Sequence, residues 1–195
     1  MFNFGIQVNV NKFYIKSMVC PRCISAVEKV FNDMDINPLQ TQLGEVTLSE
    51  APKPEQISTL KTKLEQLGFE LLDDNRKQQI EKIKAIIIDH IHHREEWKFV
   101  FPEVLSVALH REYSQLSKLF SVTEGITIEQ FVILQKTEKV KELLIYNQMN
   151  LSEIADKMGY SSVAHLSSQF KKTVGMTPSQ FKAQEIHLRK TLDQL

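Results

Sequence analysis

The chain lacks several features that would assign it quickly to a class. Of its 195 residues only two are cysteines, both in the motif Cys20-Pro-Arg-Cys23, so a long-range disulfide framework is excluded. The formal net charge is zero, so the overall balance does not point to a nucleic-acid partner. No apolar run reaches the ~20 residues that a membrane-spanning helix needs. The amino-terminal residues lack a basic segment, and we expect a cytoplasmic protein with no membrane partner.

Motifs that assemble catalytic groups are also missing from the sequence. It has no phosphate-binding loop, no nucleophile elbow and no motif that places two carboxylates together. We therefore expect no enzymatic activity. The apolar content of 42% and the charged content of 25% are ordinary for a globular protein with a buried core.

Charge is distributed unevenly along the chain, which favours two domains. Residues 1–74 hold 7 Lys and Arg against 10 Asp and Glu (7 − 10 = −3), whereas residues 75–195 hold 17 against 14 (17 − 14 = +3). A polar stretch over residues 73–79 separates the two parts. We predict domains at 1–74 and 75–195, and the mildly basic second part agrees with DNA binding there.

The first domain is predicted to have the element order β-α-β-β-α-β. Helical spacing of apolar residues follows the cysteines and again follows Pro54, and Gly68 ends the second helix. Gly44 marks a tight hairpin. Residues 1–10 alternate apolar and polar, which is typical of a strand or a strand extension. The fold class is therefore α+β, a ferredoxin-like unit followed by an all-α domain. Strand character is found over residues 12–16, 39–43, 45–48 and 69–72.

The most informative segment lies in the second domain. A short helix ends at Gly159, and a second helix follows with Leu166 and Phe170 on one face and small polar residues on the other. Gly175 and Pro178 close that helix. Helix, glycine turn and a second helix with a polar outer face is the layout of a helix-turn-helix. Helices are predicted over residues 78–92, 102–109, 113–122, 128–146, 151–157, 162–173 and 179–188.

The same pattern occurs 50 residues earlier in the chain. Leu116 and Phe120 stand where Leu166 and Phe170 stand, and each second helix is followed by a Gly-x-Thr sequence. This duplication, joined by a long helix, resembles the DNA-binding domain of the AraC/XylS family of bacterial transcription regulators over residues 78–184. The motif residues that carry the resemblance are Ile154, Ala155, Gly159, Tyr160, Ser161, Leu166, Phe170, Lys171, Lys172, Gly175, Thr177, Pro178 and Phe181.

The resemblance implies a double-stranded DNA partner and two recognition helices, set in successive major-groove segments about 34 Å apart. It implies that Lys171 and Lys172 contact phosphates. Two units in one chain allow binding as a monomer, with a homodimer as the alternative, and an activator would also contact RNA polymerase. The residues placed toward the bases are Tyr113, Ser114, Ser117 and Lys118 on the first helix, and Val163, Ala164, Ser167 and Ser168 on the second.

Two departures from the family pattern affect these expectations. His110 stands where the family often has glycine, which puts the left-handed geometry of the first turn in doubt. Ser168 stands where arginine is common, so we expect modest base readout by the second helix and a larger part for DNA shape. In both helices the apolar positions, Leu116, Leu119, Phe120, Leu166 and Phe170, are expected to be core.

Cys20 and Cys23 lie in a predicted strand-to-helix loop. With Met18 they resemble the metal loop of the heavy-metal-associated domain of copper chaperones and metal-pumping ATPases, over residues 12–73, although Ser17 and Val19 differ. Two thiolates at positions i and i+3 of a helix start can converge on a soft ion such as Cu(I). We expect a bound ion to change how the first domain packs against the helix around residues 80–91. The histidines His90, His92 and His93 are expected at an exposed helix end and not as ligands.

Other functions remain open at this point. Cys-Pro-Arg-Cys is also similar to the Cys-Pro-Tyr-Cys of glutaredoxins, which indicates a redox pair, and the two thiols could equally be unused. For the whole chain we expect a DNA-binding transcription regulator that responds to a soft metal ion. The alternatives are a metal-trafficking or thiol-redox protein whose helical half docks a partner, and a regulator whose first domain only mediates protein interactions.

Overall fold

The computed structural model of the protein describes residues 11–94 and 100–183, and the chain forms two compact units, Met1–Ala85 and Ile86–Leu195. The division falls within a helix, Asn75–Ile88, which begins at the domain boundary expected from the sequence. The strand predicted over residues 1–10 lies outside the described residues, as does the last part of the helix predicted over 179–188.

The first unit has the predicted order β-α-β-β-α-β, so this prediction is confirmed. Its four strands form one sheet in the order β2-β3-β1-β4, and all neighbouring strands are antiparallel. This strand order is that of a split βαβ unit. The elements are β1 (Asn11–Lys16), α1 (Pro21–Asn32), β2 (Pro38–Gln42), β3 (Glu45–Leu48), α2 (Pro54–Gln66) and β4 (Glu70–Leu72).

One face of this sheet carries the apolar core. Ile15 and Val46 are fully buried there, together with Phe31 of α1 and Leu60 and Leu64 of α2. Side chains alternate between the two faces of a strand, so the period of two in β1 and β3 places these residues on the helix side. The core of the first unit therefore lies between the sheet and the helices α1 and α2.

The opposite face of the sheet is contacted by the following helix, α3 (Asn75–Ile88). Lys82 Nζ lies 4.3 Å from the ring centroid of Tyr14, which is the outward neighbour of Ile15 on β1. The side chain of Gln78 donates a hydrogen bond of 3.0 Å to the backbone carbonyl of Leu72. Part of α3 therefore belongs to the first unit by its packing, although its last residues belong to the second.

In the second unit the described residues outside turns are helical. All seven predicted helices are present, and the first of them continues beyond α3 into a π-helical turn, Asp89–His93. None of the described helices is both long enough and apolar enough to span a bilayer. The remaining helices are α4 (Phe101–Leu109), α5 (Tyr113–Glu124), α6 (Ile128–Tyr146), α7 (Leu151–Lys157), α8 (Val163–Val174) and α9 (Pro178–Ala183).

Side-chain caps fix where α6 and α7 begin. Thr127 Oγ1 accepts a hydrogen bond of 3.1 Å from the backbone of Gln130, whose own side chain accepts one of 2.9 Å from the backbone of Thr127. Asn150 and Glu153 form the same reciprocal capping box at the start of α7. Each box satisfies backbone N–H groups that have no partner within the helix, which typically stabilises a helix by about 1 kcal/mol.

Candidate nucleic-acid interface and cysteine pair

The helix pair α7 and α8 is held together by a small apolar core. Ile154 of α7, Met158 directly after α7 and Leu166 of α8 are all fully buried. The ring of Phe170 packs edge-on against Phe181 of α9, with 5.7 Å between ring centroids and an interplanar angle of 74°. This packing fixes one face of α8 and leaves the opposite face accessible.

The earlier pair, α4 and α5, is packed in the same way. Leu105 of α4 and Leu116 and Phe120 of α5 are fully buried, and the ring of Phe120 lies 5.6 Å from that of Phe131 on α6. Leu119, which we expected in the core, is only half-buried. It lies a quarter-turn from Phe120, at the edge of the packed face.

The two pairs match each other residue by residue at an offset of 50. Residues 111–120 and 161–170 have an identical sequence of buried, half-buried and exposed positions. Gly125 and Gly175 both end the second helix of their pair in a left-handed conformation, with φ of 73° and 88°. Thr127 and Thr177 then both cap the next helix. The duplication seen in the sequence is therefore also a duplication of structure.

Both turns contain a left-handed residue, although only one of them is glycine. His110 has φ of 51° and ψ of 43°, and its backbone N–H donates to the carbonyl of Ser106. Gly159 has φ of 69° in the second turn. The first turn thus keeps the left-handed geometry without glycine, at a steric cost of roughly 1–2 kcal/mol.

The candidate DNA-contacting residues differ in exposure. On each of the two helices the positions two before and two after the buried leucine, Leu116 or Leu166, lie close to the outward direction. Ser114, Lys118, Ala164, Ser168, Lys171 and Lys172 are exposed, whereas Tyr113, Ser117, Val163 and Ser167 are half-buried.

Two exposed positions on this face, Gln115 and His165, were missed at the sequence level. They are equivalent at the offset of 50, and each precedes the buried leucine of its helix. At 100° per residue, position 115 lies about 60° from the outward direction set by Leu116 and Phe120, whereas Ser117 lies about 100° from it. The helical periodicity therefore contained the signal that would have found Gln115.

The start of α8 holds His165 in a defined orientation. Ser162 caps the helix by accepting a 3.1 Å hydrogen bond from the backbone N–H of His165. The Nδ1 atom of His165 lies 3.1 Å from the hydroxyl of Ser161, and its ring stands perpendicular to that of Tyr160, 5.3 Å away. This imidazole is thus exposed but already in contact with protein groups.

At the start of α5, Tyr113 is held by the protein. Its hydroxyl donates a short hydrogen bond of 2.5 Å to Glu129 on the first turn of α6. Burial, and then the nearby carboxylate, raise the pKa of Tyr113 above its usual range, while the hydrogen bond from Tyr113 lowers the pKa of Glu129. Tyr113 therefore positions α5 against α6, and its hydroxyl is already used.

The long helix α6 contacts the second pair through Lys136. Lys136 Nζ donates a 2.8 Å hydrogen bond to the carbonyl of Met158 at the end of α7 and lies 5.6 Å from the ring centroid of Tyr160. Burial lowers the pKa of Lys136 and raises that of Tyr160 to about 12. This contact orients the second pair relative to α6.

The expectation of three histidines at an exposed helix end is wrong for His90 and His92. His90 is only 8% exposed, and its Nδ1 lies 2.8 Å from the carbonyl of Ile86. His92 is half-buried and donates through Nε2 to the side-chain oxygen of Gln135 on α6, at 3.0 Å. Burial lowers the pKa of His92 to about 4. The reason is the π-helical turn, which changes the rotation of the last residues toward α6.

Cys20 and Cys23 lie side by side at the start of α1. Their Sγ atoms are 3.3 Å apart, and both residues are partly exposed. Cys20 is the N-cap of α1, and its carbonyl accepts the backbone N–H of Cys23 at 2.9 Å. Burial raises the pKa of the Cys23 thiol. Met18, the third residue of the resemblance, is 3% exposed and belongs to the core.

The distance between the two sulfurs can be compared with those of a disulfide and of a metal site. A disulfide requires about 2.05 Å, whereas two sulfurs at 2.3 Å from one tetrahedral ion are about 3.8 Å apart. The observed 3.3 Å matches neither value and is the distance of a hydrogen bond between two thiols. Among the described residues no group of three or more His, Cys, Asp and Glu could hold a metal ion. Within those ranges the pair thus supplies two sulfur ligands and lacks the further ligands of a four-coordinate zinc site.

Known proteins resemble the second unit. A family model described as a helix-turn-helix domain matches residues 105–184. The probable transcriptional regulator LumQ of Photobacterium leiognathi is 31% identical over 113 residues, which are 57% of this chain and 44% of that protein. The xylose operon regulatory protein of Escherichia coli strain K12 is 35% identical over 69 residues, 35% of this chain and 18% of that protein. The chain thus spans less than half the length of these relatives.

Among solved structures, the C-terminal domain of AraT, a response regulator from Geobacillus stearothermophilus, superposes with a TM-score of 0.49 at 22% identity. The superposition covers 60% of this chain and 94% of that domain. The match to the family model contains α5 to α9 and most of α4, and it does not reach the first unit. The match shows that residues 105–184 form a helix-turn-helix domain, and the relatives named above are similar to part of this chain.

Proposed function

We propose that the protein is a sequence-specific DNA-binding transcription regulator in which α5 and α8 are the two recognition helices. The observation that supports this best is the repeated pattern of burial over residues 111–120 and 161–170. Each helix buries an apolar face and presents polar residues on the opposite one. Two such helices suit a DNA site of two major-groove segments, about one helical turn of ~34 Å apart.

Several properties follow from this proposal. One chain carries both helix pairs, so a monomer suffices for a site of two segments, and a homodimer is the alternative. A protein that binds chromosomal DNA in a bacterium acts in the cytoplasm, where we place it. RNA polymerase becomes a partner if the protein activates transcription. The residues proposed to contact DNA are the exposed Ser114, Lys118, Ala164, Ser168, Lys171 and Lys172, with Tyr113, Ser117, Val163 and Ser167 at the edge of the same surface.

The test is a selection of duplexes from a random library with the full-length protein, followed by fluorescence anisotropy. Binding to a selected duplex of about 30 bp, roughly three helical turns, is compared with binding to a shuffled duplex of the same composition. We expect tighter binding to the selected duplex, by a factor of roughly 1,000 or more. We also expect binding to weaken as salt rises, because phosphate contacts release counterions.

A charge reversal at Lys118 provides the matched variant for this test. Lys118→Glu places a negative charge on the outward face of α5, and Lys61→Glu makes the same change on the exposed face of α2 in the first unit. We expect Lys118→Glu to weaken binding by at least roughly 10-fold, because a phosphate or base contact is replaced by repulsion. Equal effects of the two variants, or failure of the wild-type protein to enrich any sequence, would contradict the proposal.

The second proposal concerns the first unit, where Cys20 and Cys23 are candidate ligands for a soft metal ion such as Cu(I). The supporting observation is the 3.3 Å between their sulfurs at the start of a helix. Thiolates are the ligands that soft ions prefer, and binding such an ion would displace the thiol protons, including that of Cys23, whose pKa is raised by burial. When bound, such an ion would be held by these two sulfurs.

The helix α3 could transmit a structural change from the cysteine loop toward the second unit. The cysteine loop follows β1 directly, and Tyr14 of β1 contacts Lys82 of α3. The same helix continues into the π-helical turn whose His92 is bonded to Gln135 of α6. We propose that occupation of the cysteine pair shifts β1 and thereby α3, and so changes DNA binding.

A competition titration with Cu(I) and Zn(II) against a chromophoric chelator tests the metal proposal. We expect one Cu(I) per chain and no uptake by the variant Cys20→Ser/Cys23→Ser, whereas Arg22→Gln retains both sulfurs and should bind like the wild type. Equal uptake by the double variant and the wild type would refute the site. Uptake that leaves DNA affinity unchanged would refute the regulatory route while leaving the site intact.

A further inference from the structure

We propose that the two recognition helices contribute unequally: α8 holds the phosphate backbone, and α5 reads most of the base sequence through Gln115 and Lys118. This inference rests on the DNA-binding function proposed above. It concerns a division of labour between two helices that are equivalent in structure but differ in the side chains that they present.

The charges of the two helices differ. Within Val163–Val174 there are two basic residues, Lys171 and Lys172, and no acidic residue, so α8 carries a net charge of +2 (2 − 0). Within Tyr113–Glu124 there are one basic residue, Lys118, and one acidic residue, Glu124, so α5 carries a net charge of zero (1 − 1). Both lysines of α8 are exposed, and neither forms an ion pair with another residue of the described ranges.

The last turn of α5 offers no substitute for these lysines. The equivalent residues at the offset of 50 are Ser121 and Val122. The hydroxyl of Ser121 donates a 2.7 Å hydrogen bond to the carbonyl of Ser117, and Val122 is an apolar side chain that is 79% exposed. Of the two helices, α8 alone can therefore place two cations against phosphates at its carboxyl-terminal end.

The base-facing positions show the opposite difference. On α5, Gln115 and Lys118 are exposed, and these side chains have well-defined partners in the major groove. Glutamine pairs in a bidentate way with adenine, and lysine donates to the N7 and O6 acceptors of guanine. Both are long enough to reach base edges from the face opposite the core.

On α8 the equivalent positions discriminate less. Ser168 replaces Lys118, and serine bonds to either kind of base edge. Ala164 offers only a methyl group. His165 replaces Gln115, and its Nδ1 is already close to Ser161 while its ring packs against Tyr160. Phosphate contacts carry no direct sequence information, so α8 contributes affinity and α5 contributes most of the discrimination.

Two variants of the full chain separate these contributions. The affinity of each variant is measured for a duplex selected by the wild-type protein and for a shuffled duplex, over a range of salt concentrations. For Lys171→Ala/Lys172→Ala we expect the slope of log K against log salt to decrease in magnitude by about 1.8, because each of the two lysines neutralises one phosphate and accounts for about 0.9 of the slope. Affinity for both duplexes should fall by the same factor, so the ratio between them should not change.

For Gln115→Ala we expect the reverse. Affinity for the selected duplex should fall by roughly 10-fold or more, with the salt slope and the affinity for the shuffled duplex unchanged. His165→Ala at the equivalent position of α8 is the matched control. It should change the ratio of the affinities for the selected and shuffled duplexes by less than about 3-fold, which is the effect of losing a weak polar contact.

The possible results distinguish this inference from the function on which it rests. If Lys171→Ala/Lys172→Ala lowers the ratio but not the slope, or if His165→Ala reduces discrimination more than Gln115→Ala, the division of labour is refuted while DNA binding stands. If the wild-type protein prefers no duplex over its shuffled counterpart, the proposed function is refuted and this inference with it.

Discussion

His92 should make the stability of the second unit depend on pH in a way that can be worked out from its surroundings. Burial against α6 lowers the pKa of His92 to about 4 from an ordinary value of 6.5. Between these values the unfolded chain binds more protons than the folded one, so the folded state loses stability as the pH falls from 6.5 toward 4. Between about pH 8 and pH 5 the loss from this one residue amounts to about 2 kcal/mol.

The assay is denaturant unfolding of the full chain at these two pH values, followed by far-UV circular dichroism, which reports mainly on helices. His92→Gln removes the titrating group and keeps a polar side chain facing Gln135. We expect the wild type to lose about 2 kcal/mol more than His92→Gln between the two pH values. His93→Gln, a change at the exposed neighbour, should retain the wild-type dependence. An identical pH dependence in wild type and His92→Gln would refute the reasoning.

Two further substitutions test the local structure of the second helix pair. Gly175→Ala should destabilise the protein by about 1 kcal/mol, because an alanine at φ of 88° is strained. No other atom lies within 4 Å of the added methyl group, so the cost comes from the backbone conformation alone. Thermal unfolding measures this cost, and an unchanged midpoint would contradict the left-handed conformation of Gly175. Ser162→Ala should cost about 1 kcal/mol by removing the cap on the backbone of His165, and Ser162→Asp should restore it; equal stability of the alanine and aspartate variants would contradict the capping role.

The second helix pair could be predicted from sequence because its signals are local. Gly159 and Gly175 take the positive φ angles that glycine adopts without strain, and Leu166 and Phe170 recur at helical spacing. The sheet of the first unit was predictable for a similar reason, since a glycine with φ of 75° at position 44 marks the hairpin between β2 and β3.

The environment of the histidines was not predictable, because it depends on residues distant in sequence. His92 forms a hydrogen bond with Gln135, 43 positions away in the sequence. The π-helical turn that orients His92 cannot be predicted from the spacing of apolar residues. The left-handed conformation of His110 is another case. A residue other than glycine adopts the left-handed conformation only where its surroundings impose it. The sequence alone therefore could not predict the conformation of His110.

The candidate surface was predicted only in part. The outward lysines and serines follow from helical periodicity, but the family resemblance drew attention to Ser117 and Ser167, which are half-buried, and away from Gln115 and His165, which are exposed. The engagement of Tyr113 by Glu129 also required the packing of α5 on α6. Assigning a role to each of these side chains therefore required the geometry of the helix pairs.

The central claim is that α5 and α8 occupy successive major-groove segments on one face of the DNA. The most direct measurement is a hydroxyl-radical footprint of the full-length protein on the duplex that it selects. We expect two protected segments whose centres are about 10–10.5 bp apart, with loss of only one of them in Lys118→Glu. A single protected segment, or none at saturating protein, would contradict the claim.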